Sequence, residues 1–320
     1  MNEFEFGTFI KKRRIELGMS QDELCAGFCA VSNLSRIENN KQKPTRSLAR
    51  NLLGRLGLQG DQFLALWSSE ELRTGALIRD IRANLIIFRK SLSEDREQIK
   101  QLIQEELVEL EKMTDPEDRP TRQFLLSCQA AIGEPGKTYS PEEKLAKQLE
   151  AIRLTCPQFD PVDFRNGYFT IDETTLINQI ANTYAEAGDR KRSIDIYRQL
   201  LWYVEKNFKE LKLYPNHFCL ISQNCAISLS LEKRYNDAIE IAENGRKMCI
   251  KYAEYQFLPG FIAIQAECYH FLGDAEKSRK LYFQAYYVYE AYEDKINMKN
   301  MRREMKEYLG IETLPQILFE

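Results

Sequence analysis

Residues 10–24 read IKKRRIELGMSQDEL, residues 31–44 read VSNLSRIENNKQKP and residues 48–58 read LARNLLGRLGL. Phe6, Phe9, Ile10 and Leu17 fall at helical spacing on one face, and Lys11, Lys12, Arg13 and Arg14 form a basic band beside them. Gly18 stops that helix. Ser20 is a natural N-cap and Glu23, three residues on, completes an S-x-x-E capping box, which predicts a short second helix over residues 21 to about 26. Beyond a connector at residues 27–30, the spacing predicts a third helix over about Val31–Glu38, with Leu34 and Ile37 inward and Ser32, Asn33, Ser35 and Arg36 outward. Lys41, Lys43 and Pro44 make a basic loop, and a fourth helix carries Leu48, Leu52, Leu53 and Leu56 inward, with Gly57 as its stop. Two short helices about a tight connector, the second presenting small polar residues, form a helix-turn-helix pattern.

This run closely resembles the lambda-repressor-like, or Xre-type, helix-turn-helix family. Its pattern of L-G-x-S-Q-x-E-L followed by S-R-I-E-x-G is met by Leu17, Gly18, Ser20, Gln21, Glu23 and Leu24, then by Ser35, Arg36, Ile37 and Glu38. Two departures stand out: Asn40 replaces the usual Gly, and the connector is one residue shorter than in phage repressors. Asn tolerates a left-handed backbone nearly as well as Gly. The resemblance implies that the third helix enters the major groove, with Val31, Ser32, Asn33 and Arg36 as the residues that touch base edges. Their chemistry suits that role, because Arg grips guanine and Asn adenine through two bonds each, while a Val methyl packs on thymine. Gln21 opens the second helix, where its amide and the free backbone N–H groups can hold a phosphate. Lys12, Arg13, Lys41 and Lys43 supply sequence-independent attraction. The alternatives are a merely solvated basic face, and for Arg36 a pairing with Glu38 inside the domain.

The chain has 320 residues, 43% of them hydrophobic and 29% charged, enough to bury a core and long enough for two domains. Gly (15) and Pro (10) are scarce, which disfavours a turn-rich β fold and favours long helices with short connections. Net charge is −3, but residues 1–60 hold ten Lys/Arg against six Asp/Glu while the remainder holds 35 against 42. A positive head on an acidic body is the balance expected when one short segment meets a polyanion. The N-terminus has no secretory signature and no run of about 18 apolar residues occurs, so a cytoplasmic location away from membranes is expected. In that reducing setting the eight cysteines, which show no C-x-x-C pair and no metal-ligand spacing with His, are expected to be small buried hydrophobes; no metal or cofactor is expected. With only His217 and His270, no G-x-S-x-G and no phosphate loop, the sequence offers no catalytic apparatus, and we expect no enzyme.

Beyond residue 60 the helical spacing repeats itself. LINQIANTYAEAGDRKRSIDIYRQLL from Leu176, CLISQNCAISLSLEKRYNDAIEIAENG from Cys219 and FIAIQAECYHFLGDAEKSRKLYFQAY from Phe261 align, so that Ala181, Ala226 and Ala266 coincide, as do Tyr184, Leu229 and Tyr269, and Ser193, Ala238 and Ser278. Small residues recur where two helices approach closely and large ones where the next pair must be filled. The order resembles the tetratricopeptide repeat, although the 45 residues from Ser193 to Ala238 and the 40 from Ala238 to Ser278 exceed that family's 34. Two weaker pairs are expected at about 72–113 and 120–156, and a capping helix near 296–309. Residues 72–111, with Leu102, Ile103, Leu107 and Leu110, fit either an arm between head and stack or a dimer contact. Tyr184, Tyr197, Tyr269 and Tyr282 are assigned to the core.

The expectation is therefore an all-α chain. Residues 1–66 would be the helix-turn-helix DNA-binding domain, and 67–320 a right-handed superhelical stack of tetratricopeptide-like helix pairs for peptide binding and dimerisation. Such stacks present a concave groove lined by the first helix of each pair. Asn178 and Asn182, Gln223 and Asn224, and Glu267 and His270 fall on that side. Amides suit an extended peptide because each offers a donor and an acceptor to its backbone. The competing role for these residues is to cap turns or bridge neighbouring helices. A helix-turn-helix joined to such repeats resembles the Rgg/PlcR-type (RRNPP) peptide-responsive transcriptional regulators of Gram-positive bacteria, used in quorum sensing. That resemblance implies operator duplex DNA, a short signalling peptide and a second copy of the chain as partners. It also makes Asn224 the groove asparagine before the small Ala, with Asn178 a less exact counterpart. The rival reading is a regulator or scaffold whose repeats bind a protein instead of a peptide.

Overall fold

The computed structural model describes residues 6–58, 69–91, 93–211 and 213–312. These are helical, with one isolated bridge between Glu134 and Lys137 and no strand among the described residues. The expected boundary at 66/67 lies outside them. No helix of the described residues is long and apolar enough to cross a membrane. The chain divides into two compact units, Met1–Gly188 and Asp189–Glu320.

The first unit opens with α1 (Phe6–Glu16), α2 (Gln21–Cys25), α3 (Val31–Glu38) and α4 (Arg46–Arg55). Ser20 and Glu23 exchange both capping-box hydrogen bonds at the start of α2, and Thr45 caps α4 by accepting from the Leu48 N–H. Phe6, Ile10, Met19, Leu24, Leu34, Ile37, Leu52, Leu53 and Leu56 form one core. Leu17 was expected in that core but is 44% exposed. The helix ends at Glu16 and Gly18 turns left-handed at φ +65°, so the chain reverses and it is Met19 that points inward. Then follow α5 (Ser69–Lys90), α6 (Ser93–Met113), α7 (Arg119–Ile132), α8 (Pro141–Thr155) and α9 (Ile171–Glu186). Ile78, Ile81, Ile103, Leu107, Leu110, Leu125 and Cys128 join α5, α6 and α7. Leu102 faces solvent. The connection from α8 to α9 is held by the rings of Phe159, Phe164 and Phe169, whose centroids lie 5.6–6.2 Å apart.

The head sits on the later helices of its own unit through buried polar groups. The Arg55 guanidinium, on α4, pairs with Glu173 of α9 at 3.6 Å, and both side chains are almost completely buried. Glu173 Oε1 also accepts from Thr155 Oγ1 (2.6 Å) and Cys156 Sγ (3.2 Å), and Thr155 Oγ1 in turn accepts from Gln123 Nε2. Nearer the surface, Asp172 bridges Arg50 of α4 and Arg82 of α5, and Ser47 donates to Asp118 at 2.8 Å.

The second unit comprises α10 (Arg190–Phe208), α11 (Tyr214–Leu231), α12 (Tyr235–Tyr252), α13 (Leu258–Phe271), α14 (Ala275–Ala291) and α15 (Lys295–Leu309). Every small position of the repeat alignment is fully buried: Ala181 on α9 in the first unit, and Ser193, Ala226, Ala238, Ala266 and Ser278 in the second. Ser278 Oγ donates to the Ala266 carbonyl at 2.8 Å, and a Cβ on Gly245 would lie 2.2 Å from the Phe261 ring, so α13 approaches α14 and α12 closely. Of the tyrosines assigned to the core, Tyr197 and Tyr282 are fully buried. Tyr184 and Tyr269 are half-buried, and Tyr269 takes the Lys277 ammonium against its ring and hydroxyl. All eight cysteines are free thiols; six are buried, while Cys29 and Cys156 are half-buried.

Candidate nucleic-acid interface and repeat surface

The outer row of α3 depends on a pair of charges beneath it. Arg14, placed by its sequence context in the exposed basic band, instead points inward. Its Nε and Nη2 grip the Glu38 carboxylate at 2.6 and 2.9 Å and its Nη1 donates to the Met19 carbonyl at 2.8 Å. This two-pronged grip raises the Arg14 pKa further above its ordinary value. Glu38 also accepts from Gln21 Nε2 at 2.7 Å, so α1, the start of α2 and the end of α3 share one carboxylate. Glu38 is thus occupied, and the suggested Arg36–Glu38 pairing does not form; Arg36 is exposed.

Val31, Ser32 and Arg36 stand open on α3. Asn33 is half-buried, with its Oδ1 turned inward and no hydrogen-bond partner for that atom. Lys12, Lys41 and Lys43 are exposed, and Arg13 makes a surface pair with Glu16 at 3.3 Å, an interaction worth little in water. Asn40 adopts φ +55°, as its place at the family's glycine position suggests, and its side chain adds something a glycine could not. Its Oδ1 accepts from the Gly7 N–H and its Nδ2 donates to Thr8 Oγ1, both at 2.8 Å, tying the end of α3 to the start of α1. Gly7 must lack a side chain there, because a Cβ would fall 1.8 Å from the Ile37 carbonyl oxygen.

On the repeats, each singled-out residue is described within its own unit. Asn178 is buried on α9 and Asn182 half-buried one turn later, both with polar contacts of their own. Gln223 and Asn224 are half-buried on α11, and Gln223 lies against the bare backbone of Gly260, where a Cβ would come within 1.8 Å of its Nε2. On α13, Glu267 accepts from Ser230 Oγ of α11 at 3.0 Å. His270 stacks on Tyr308 of α15, with centroids 4.8 Å apart and planes at 17°. Sequence spacing did not single out Ser230, Tyr308 or the Arg55–Glu173 pair. Only the T-x-x-E capping box at Thr170 and Glu173 could have drawn attention to one of them.

Residues 10–63 match the family described as Helix-turn-helix. No curated protein matches the chain. Among solved structures, Bacillus thuringiensis PlcR in complex with the peptide PapR7 and DNA is 20% identical, with 93% of this chain and 98% of that one covered and a TM-score of 0.58. The apo form of the same protein is 18% identical, with 94% and 98% covered and a TM-score of 0.58. At that identity the likeness is one of fold. The chain thus carries an Xre-type helix-turn-helix head followed by tetratricopeptide-like helix pairs, the fold seen in PlcR, and the head makes it a candidate regulator of transcription.

Proposed function

We propose that this chain regulates transcription by binding operator DNA through its head, residues 1–66, and that its repeats, residues 67–320, take up a short signalling peptide and carry a dimer contact. The observation that carries the DNA reading is the open outer row of α3, Val31, Ser32 and Arg36, on a helix whose other side is fixed by Leu34, Ile37 and the Arg14–Glu38 grip. Arg36, Asn33 and Ser32 read base edges and Val31 meets a thymine methyl. Lys12, Arg13, Lys41 and Lys43 hold phosphates. Gln21 sits at the N-terminus of α2, where its own backbone N–H is suited to a phosphate, although its amide is held by Glu38 and the capping box takes the N–H groups of Ser20 and Glu23. Asn178, Asn182, Gln223, Asn224, Glu267 and His270 meet the peptide. Peptide control then follows from linkage: a peptide that favours one arrangement of two heads changes operator affinity by its differential binding, about 1–3 kcal/mol. Two heads must match half-sites about one helical turn apart, or a multiple of it.

Selection of bound duplexes from a random pool tests the DNA reading, and a consensus sequence is the expected outcome. Arg36→Ala should weaken binding to that consensus about 10- to 100-fold, as for the loss of one two-bond base contact. Its circular-dichroism melt should stay in place, because the side chain is exposed. Absence of a consensus would sink the DNA reading. For the repeats, Asn224→Ala should lower retention of peptides from a synthetic heptapeptide pool about tenfold while consensus DNA binding is unchanged. Equal retention by variant and wild type would remove Asn224 from the peptide site.

A further inference from the structure

Cys219 of α11 and Cys249 of α12 meet sulfur to sulfur in the second unit. Their Sγ atoms are 3.7 Å apart, and both residues are completely buried. Other buried thiols turn to oxygen instead: Cys268 donates to Ser230 Oγ and Cys25 to the Asp22 carbonyl. No group of three or more His, Cys, Asp or Glu able to hold a metal ion occurs among the described residues. A disulfide needs its sulfurs about 2.0 Å apart, so an approach of about 1.7 Å from the present contact joins the two. Because one thiol donates to the sulfur of the other, the contact lowers the Cys249 pKa and raises that of Cys219. Cys249 is thereby the readier nucleophile.

The pair lies toward one edge of the two helices. Cys249 stands in the last turn of α12, which ends on Ala253 at φ +59°, and Cys219 in the second turn of α11, whose start has no side-chain cap. Ile250 and Tyr252 are exposed beside Cys249, and a single hydrogen bond from Asn216 to Glu254, 3.2 Å long, crosses between the two helix ends. Helix ends open locally at lower cost than helix middles, which lets a small oxidant reach both thiols without global unfolding.

We propose that Cys219 and Cys249 form a redox pair, which hydrogen peroxide converts into a disulfide that locks α11 to α12. The Cys249 thiolate attacks one peroxide oxygen; the S–O bond forms as the O–O bond breaks, and the released hydroxide takes up the proton that Cys249 has lost. Cys219 then attacks the Cys249 sulfur. The S–S bond forms, the S–O bond breaks, and the leaving hydroxide carries off the Cys219 proton as water. Two thiols and one peroxide thus become one disulfide and two waters, with the sulfur pair oxidised and the peroxide reduced; a small dithiol reverses the change. The lock joins residues 30 apart in the chain and constrains the two ends that otherwise open. Gln223 and Asn224 follow Cys219 on the same helix, so oxidation stiffens the surface assigned above to the peptide, while the disulfide itself does not depend on that assignment.

The test treats the folded, reduced protein with hydrogen peroxide, alkylates the remaining thiols after denaturation, and reads the digest by mass spectrometry. The expected product is a linked pair of peptides holding Cys219 and Cys249, lost again on treatment with dithiothreitol. Amide hydrogen exchange at residues 214–219 and 249–254 should slow about tenfold in the oxidised protein. Cys219→Ser should give no link, leave the oxygen on Cys249 and show no slowing of exchange. Oxidation of the half-buried Cys29 or Cys156 with Cys219 and Cys249 still recovered as free thiols overturns the proposal. A link that forms only in urea overturns it too, since the pair would then be core packing that oxidises after unfolding. Unchanged exchange in fully linked protein overturns the lock. The wild-type protein alone distinguishes these outcomes, whatever the fold of the serine variant.

Discussion

Glu173→Ala is expected to lower the unfolding free energy of the first unit by about 3–5 kcal/mol, the cost of leaving a buried charge without its partner. The side chains of Arg55 and Glu173 are 2% and 1% exposed. Arg55 Nη1 spends its donors on the carbonyls of Glu23, Leu24 and Ala26, and its guanidinium lies 3.8 Å above the Phe28 ring, but none of these neutralises its charge. Alanine at 173 also strips the Thr155 hydroxyl, the Cys156 thiol and the Thr170 N–H of their acceptor. Because Gln123 donates to Thr155 as Thr155 donates to Glu173, the chain of bonds is directional and the whole row is disturbed at once. Urea titration followed by circular dichroism measures the loss. A change below about 1 kcal/mol would mean that the pair carries no charge worth burying. Removing both partners with Arg55→Met and Glu173→Leu should recover only the part of the loss that comes from the unpaired charge, because Thr155, Cys156 and Thr170 still lack their acceptor and the carbonyls of Glu23, Leu24 and Ala26 lose their donor.

Gly27→Ala should be comparably severe for a different reason. Gly27 adopts φ +77°, a conformation that costs a non-glycine residue about 1–3 kcal/mol. A Cβ there would lie 1.5 Å from the Thr155 carbonyl oxygen and 2.1 Å from its carbon. That contact is backbone on backbone, so no rotamer change relieves it, and overpacking adds about 1–3 kcal/mol more. Gly18 provides the control: its φ is +65° and a Cβ there meets nothing within 4 Å. The difference in stability between Gly27→Ala and Gly18→Ala therefore isolates the fit of the α2–α3 connector against the end of α8. If the two variants melt together, that fit contributes nothing.

Much of this architecture is legible in one sequence because its signals are local. The Ser20/Glu23 box, the Gly18 and Gly57 stops, and the apolar spacing of α3 and α4 each act within one or two turns, and the repeats declare themselves by small residues at matching positions. The legible part ends where partners are remote. Arg14 stands in a run of four basic residues, and nothing in that run says that only one of them lies on the buried side of α1, 24 residues from its carboxylate. Leu17 follows the apolar spacing but lies beyond the last helical residue, where the spacing no longer predicts direction. Glu267 could be read as facing the concave side, but the Ser230 hydroxyl that holds it comes from another repeat, 37 residues earlier. Burial decided these cases, since a charge or hydroxyl inside must find a partner and chain separation does not limit which one.

The seating of the head has a mechanical consequence. Fastened by Arg55 and Arg50 to α9, by Ser47 to the start of α7 and by Gly27 to the end of α8, the head has no swivel of its own. The angle at which α3 addresses a duplex is inherited from those three helices, and a tilt of α9 by a few degrees is carried outward as by a rigid pointer.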